Sequence, residues 1–140
     1  MTPRHPLHVS VLAAVAVGGA VGALARHGLT TVEPDGAGFP STTFAINVVG
    51  AFLLALLPAS GWVRRHHLLP PLLGTGVLGG FTTLSAWSEQ TRALVDTGHA
   101  VTAGAYAVGT VAACLVAVAL ADRFSAPAER AEFDEEEGDL

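Results

Sequence analysis

Gly79-Gly80-Phe81-Thr82-Thr83-Leu84-Ser85 lies near the middle of LLPPLLGTGVLGGFTTLSAW (Leu68–Trp87), a run without a charged residue. Each glycine weakens a helix by about 1 kcal/mol relative to alanine. In hydrocarbon, a backbone group that loses its helical partner has no water to turn to. A break at that depth is tolerated only inside protein or beside a water-filled or ion-filled cavity. Thr82, Thr83 and Ser85 bring hydroxyl donors and acceptors to the same place. The stretch predicts an interrupted membrane helix that handles an ion.

Composition places the rest of the chain in the same setting. Of 140 residues, 51% are hydrophobic and 14% charged, against about 25% charged in a soluble domain. All seven basic residues are arginine, and most of the twelve acidic ones fall between Glu129 and Asp139. The net charge of −5 therefore describes a tail, and nothing in the pattern supports nucleic-acid binding. Cys114 is the single cysteine and sits in an apolar run, so it reads as a buried thiol with no disulfide and no metal-site spacing.

A bilayer-crossing helix needs about 20 mostly apolar residues. Four segments meet or approach that length, at about 8–27, 40–62, 68–94 and 99–121. The sequence thus predicts an all-α membrane protein of four transmembrane helices, the third broken, over residues 1–123. The first segment reads as a retained helix, because three more spans follow it and no cleavage site precedes a polar domain. Turn-forming stretches separate the spans: TTVEPDGAGFP (Thr30–Pro40), WVRRHHLLPP (Trp62–Pro71) and Asp96-Thr97-Gly98-His99. Residues 124–140 are acidic and poor in apolar side chains, and read as a disordered cytoplasmic tail. Arginines at positions 4, 64, 65 and 123 put both termini and the middle loop in the cytoplasm, against Arg26 and Arg92 outside.

Several polar residues sit within the spans. Asn47, in FAINVVGAFLLALL, needs partners there. It is either an interhelical bond or a pore group offering two N–H donors to a dehydrated anion. Gly50 permits close helix approach beside it. Arg26 ends the first span, either reaching for the interface or attracting anions at a pore mouth. Tyr106, Thr110 and Cys114 are spaced by four, which aligns them on one helix face as a column of weak donors. Gly104 and Gly109 equally suit a packing face, and Thr110 can bond back to its own helix. Trp87, Ser88, Glu89 and Gln90 follow the break, with Ser88 to Gln90 suited to the membrane surface. Phe81 and Trp87 offer aromatic edges. The histidines show no metal-site spacing, and there is no Ser/His/Asp set, P-loop or nucleotide fingerprint, so the chain does not read as an enzyme.

GGAVGALARH (Gly18–His27), FPSTTFAINVVGAF (Phe39–Phe52) and GTGVLGGFTTLSAWSEQ (Gly74–Gln90) together resemble the CrcB/Fluc family of fluoride channels, over Val15 to Ala121. The resemblance implies passive fluoride export across the plasma membrane by an antiparallel, dual-topology dimer with two pores along its interface. It also implies a central structural sodium ion, not transported, held by the backbone carbonyls of Gly79 and Thr82 from both copies. Asn47 matches the family's pore asparagine and Arg26 its basic residue. Phe81, Thr83, Leu84, Ser85, Trp87, Tyr106, Thr110 and Cys114 fall in or beside the implied pore.

Four positions depart from the family pattern. Leu84 and Trp87 stand where phenylalanines are usual, and Leu84 has no electropositive ring edge. Cys114 is a weaker donor than a hydroxyl. Gln90 replaces a glutamate. These departures, with the arginine asymmetry, leave a homodimer and a heterodimer with a homologous subunit both open. A proton-coupled small multidrug transporter is a further alternative, but it wants a carboxylate in the first span, where none exists. A non-conducting scaffold is the last.

Overall fold

The computed structural model describes residues 8–138, with side chains described for residues 8–125. Every regular element among them is helical. Helix α1 (Val9–Val32) is followed by α2 (Ser41–Leu56), a short 3-10 turn (Leu57–Ala59) and α3 (Gly61–Arg65). A π-helical stretch (Pro71–Leu78) then runs into the single turn α4 (Gly79–Phe81), followed by α5 (Leu84–Asp96) and α6 (Ala100–Gly138). Three stretches are long and apolar enough to cross a bilayer: Val9–Val32, Ser41–Ala59 and Ala100–Ser125. The expected third span is not among them, because the chain there is divided into pieces.

Each boundary has a local cause. Helix α1 runs past residue 27 to Val32, and the Thr30 and Thr31 hydroxyls donate back to the Arg26 and His27 carbonyls at 3.1 and 2.7 Å. Pro40 stands just outside the first turn of α2, and the Asp35 carboxylate supplies the missing cap. Its two oxygens accept the Thr42 and Thr43 N–H groups at 2.7 and 3.1 Å. Gly98, with φ +82°, ends α5 in the left-handed conformation. Its N–H bonds to Val95 O at 3.0 Å and that of His99 to Leu94 O at 2.8 Å, a Schellman closure. The backbone of α6 stays helical to Gly138, beyond the residue-123 limit read from the sequence. Alanine and glutamate are good helix formers, and the low hydrophobicity behind the disordered reading does not oppose helix. Residues 139 and 140 of the expected tail lie outside the described residues.

The interruption between α4 and α5 does not come from the glycine pair. Gly79 is helical (φ −65°, ψ −34°), whereas Thr82 (φ −72°, ψ 158°) and Thr83 (φ −148°, ψ 112°) are extended. Thr83 caps the new helix, its Oγ1 accepting the Ala86 N–H at 3.1 Å. The glycines have a packing role. Helix α1 lies against Pro71–Phe81 with backbones nearly touching. A Cβ on Gly22 would fall 1.9 Å from Val77 O, and one on Gly80 would fall 2.4 Å from Gly19 O.

Helix α6 packs on α2 and on α5. Between them Leu94, Ala103 and Tyr106 form a buried cluster, flanked by Phe44 and Trp87. Gly104 and Gly109 meet nothing within 4 Å, so they mark no packing face within the chain. Val17, Leu24, Leu115 and Leu120 stay exposed, as a lipid-facing surface requires.

Candidate functional site

Asn47, at mid-length in α2, faces the interruption. Its Oδ1 accepts the Thr83 N–H at 2.8 Å and its Nδ2 donates to Thr83 O at 3.1 Å. One side chain thereby satisfies both backbone groups of the extended residue, as a neighbouring strand would. Of the two N–H donors expected of Asn47, one is committed here and one remains.

The bonds around Thr83 release two carbonyls. In an unbroken helix Gly79 O would accept from Thr83 N, and Thr82 O from Ala86 N. Those N–H groups donate instead to Asn47 Oδ1 and Thr83 Oγ1. Gly79 and Thr82 also line one groove, of about 570 Å³, with Arg64 and Thr75. Neutral carbonyl oxygens freed from helical pairing are suitable ligands for a hard monovalent cation. Among the described residues no group of three or more His, Cys, Asp or Glu side chains is placed to hold a metal.

A second groove, of about 390 Å³, is bounded by Asn47, Thr83, Leu84, Trp87, Thr110 and Cys114. It contains no charged side chain. Several hydroxyl protons on it are engaged: Thr82 Oγ1 donates to Leu78 O at 3.0 Å and Thr110 Oγ1 to Tyr106 O at 2.6 Å. Thr83 Oγ1 pairs with Ser85 Oγ at 3.2 Å. Leu84 is 76% exposed at this groove.

Other expected site residues lie elsewhere. Phe81 lines a third groove, of about 420 Å³, with Leu29, Thr42 and Ile46. Half-buried Arg26 donates from Nε to Gly80 O at 3.2 Å, which ties α1 to the turn before the interruption. The column on α6 is divided. Thr110 and Cys114 reach the 390 Å³ groove, whereas Tyr106 is fully buried and donates to Gln90 Oε1 at 2.7 Å.

Gln90 is the centre of a network that sequence reasoning missed. Its Nε2 donates to Asp35 Oδ2 at 2.9 Å and to Thr43 Oγ1 at 3.1 Å, while its Oε1 takes the Tyr106 proton. The Thr43 hydroxyl donates to Asp35 Oδ2 at 2.6 Å. Partial burial alone would raise the Asp35 carboxyl. The Thr43 hydroxyl, the Thr42 and Thr43 N–H groups and Gln90 outweigh that and hold it below its ordinary value. Only an acid just ahead of a Ser-Thr-Thr helix start hinted at this in the sequence. Glu89, adjacent to Gln90, faces outward and pairs with Arg92 at 2.6 Å.

The family model described as CrcB-like protein, Camphor Resistance (CrcB), matches residues 13–121. The chain is 41% identical over 119 residues to a Nocardia farcinica protein named Fluoride-specific ion channel FluC 2, covering 82% of this chain and 84% of that one. It is 45% identical over 119 residues to Fluoride-specific ion channel FluC 1 of Mycobacterium bovis, covering 79% and 86%. A Novosphingobium aromaticivorans protein named Fluoride-specific ion channel FluC is 44% identical over 112 residues, covering 75% and 87%.

Proposed function

We infer that this chain, which belongs to the CrcB-like protein family, is a fluoride channel that lets fluoride leave the cell passively through the plasma membrane. The relatives' names support the ion. The observation that carries the reading is the grip of Asn47 on Thr83 beside an uncharged groove. It satisfies both backbone groups of the extended Thr83 where a helix is broken at bilayer depth.

In this reading Pro71–Phe81 and Leu84–Asp96 are the two halves of a third crossing among four. Two copies pack antiparallel, so that each 390 Å³ groove is closed by the other copy into a pore. Fluoride is small and strongly hydrated, and a pore must replace its water with donors. The remaining Asn47 N–H, the hydroxyls near Thr83 and the edge of Trp87 serve that purpose, and no bond is broken. Gly79 and Thr82 are the residues whose carbonyls would hold a sodium ion. When bound, that ion supplies a fixed positive charge at the dimer centre, where two interrupted segments meet.

Exposed Leu84 on the groove wall favours a second reading, in which the chain pairs with a homologous subunit that completes the pore. The numbered names FluC 1 and FluC 2 fit organisms with more than one such chain. The multidrug-transporter reading is disfavoured, because Glu89 is exposed and engaged with Arg92.

The test is fluoride efflux from liposomes containing the purified chain alone, with a potassium ionophore to relieve charge. Rapid, ionophore-dependent release is the expected result. Release only after a homologous chain is added would establish the paired channel. Proton-driven cation uptake, or no fluoride release under either condition, would overturn the reading.

A further inference from the structure

The Ser41–Ala59 stretch, apolar enough to cross a bilayer, ends just before α3. Arg64, Arg65, His66 and His67 follow at once, and no Asp or Glu occurs between Gly36 and Ser88. All four side chains are exposed. Those of Arg65 and His67 make no hydrogen bond or ion pair among the described residues. This end of the bundle therefore carries a positive patch at the depth where hydrocarbon gives way to headgroups.

Beside the patch is a groove of about 560 Å³, formed by Leu53 and Leu56 of α2, Leu73 and Val77 of the π-helical stretch, and Trp62. None of its lining residues is charged. Trp62 is 63% exposed, and its ring lies beside that of His66 with centroids 5.4 Å apart. His66 Nδ1 donates to Trp62 O at 2.9 Å, so its Nε2 remains for another partner. An amphipathic ring thus joins the rim of the groove to the cationic loop, as an interfacial tryptophan does. The groove holding Gly79 and Thr82 shares Leu57, Val63 and Leu78 with this one, but takes a neighbouring stripe of the same elements through Leu54, Gly74 and Thr75.

We propose that the 560 Å³ groove and the Arg64–His67 loop form a binding site for an anionic phospholipid, one acyl chain lying along the leucines and the headgroup phosphate on Arg65 and His66. A zwitterionic lipid would fill the groove equally well, but only a net negative headgroup gains from the charge of the loop. A soluble anion gains from the charge and not from the groove. In the antiparallel reading the second copy takes up the Gly79 and Thr82 face, and this groove faces lipid.

The full-length protein is reconstituted in phosphatidylcholine liposomes, to which phosphatidylglycerol or phosphatidylcholine with brominated acyl chains is added. Bromine quenches indole fluorescence on contact. The chain has two tryptophans, and Trp62→Phe supplies the Trp87 background. Quenching of Trp62 should require at least about fivefold less phosphatidylglycerol than phosphatidylcholine, and the preference should shrink at high salt. Arg65→Gln, at an exposed position, should take away about a fivefold factor of that preference. Equal quenching by the two lipids, or a preference unchanged in Arg65→Gln, would overturn the proposal. Quenching by neither would overturn it as well, and assign the groove to a second copy of the chain. Fluoride plays no part in the measurement, so the channel reading stands or falls separately.

Discussion

An asparagine side chain offers the same donor–acceptor pair as a peptide unit, and Asn47 uses it that way against Thr83. Asn47→Ala removes both bonds and leaves an N–H and a C=O unpaired. Interhelical bonds in membranes average under about 1 kcal/mol, but stranded backbone groups cost more. The expected loss is about 1–3 kcal/mol, read as a lower thermal midpoint in detergent, together with abolished fluoride efflux. An unchanged midpoint would show that Thr83 finds other partners. That Asn47 needed partners was legible from its apolar neighbours. Its partner was not, because Thr83 lies 36 residues away. Gln90 is a similar case. An amide can donate to Asp35 and accept from Tyr106 at once, whereas an ionised glutamate would set a second carboxylate against Asp35. Neither contact follows from spacing along α5.

Helical segments meet here through glycine, and individual glycines within one motif have opposite roles. A methyl group on Gly22 would collide with the Val77 backbone, which cannot move aside as a flexible side chain would, whereas one on Gly19 meets nothing within 4 Å. Gly22→Ala should therefore separate α1 from Pro71–Phe81 and yield aggregated protein on size-exclusion chromatography. Gly19→Ala should remain monodisperse and gain up to about 1 kcal/mol from helix propensity. Equal behaviour of the two variants would refute the contact. The approaches of Gly76 to Gly18 and of Gly22 to Val77 join residues more than fifty positions apart, which spacing along one helix does not reveal. Likewise, Gly79-Gly80 pointed to a break in the right neighbourhood for an incomplete reason. The extended residues are Thr82 and Thr83, because a threonine cap and the Asn47 amide stabilise that conformation together.

Taken whole, the chain is a multi-pass membrane protein whose arginines are distributed with only modest asymmetry. The antiparallel reading makes a direct demand, since half the copies must point each way. With Cys114 replaced by alanine and Ala37→Cys placed in the exposed loop before α2, a membrane-impermeant thiol reagent applied to intact cells should label about half the protein. Complete labelling, or none, would establish a single orientation. The membrane setting, the apolar lengths and a polar interruption in the third segment were all present in the residue order. They depend on local composition set against a hydrocarbon layer of about 30 Å. Folding in three dimensions determined the rest: which backbone groups Asn47 satisfies, which carbonyls are released, and why Tyr106 leaves the groove that Thr110 and Cys114 share. Those outcomes depend on contacts between residues tens of positions apart, and a buried polar group's need for a partner does not identify that partner.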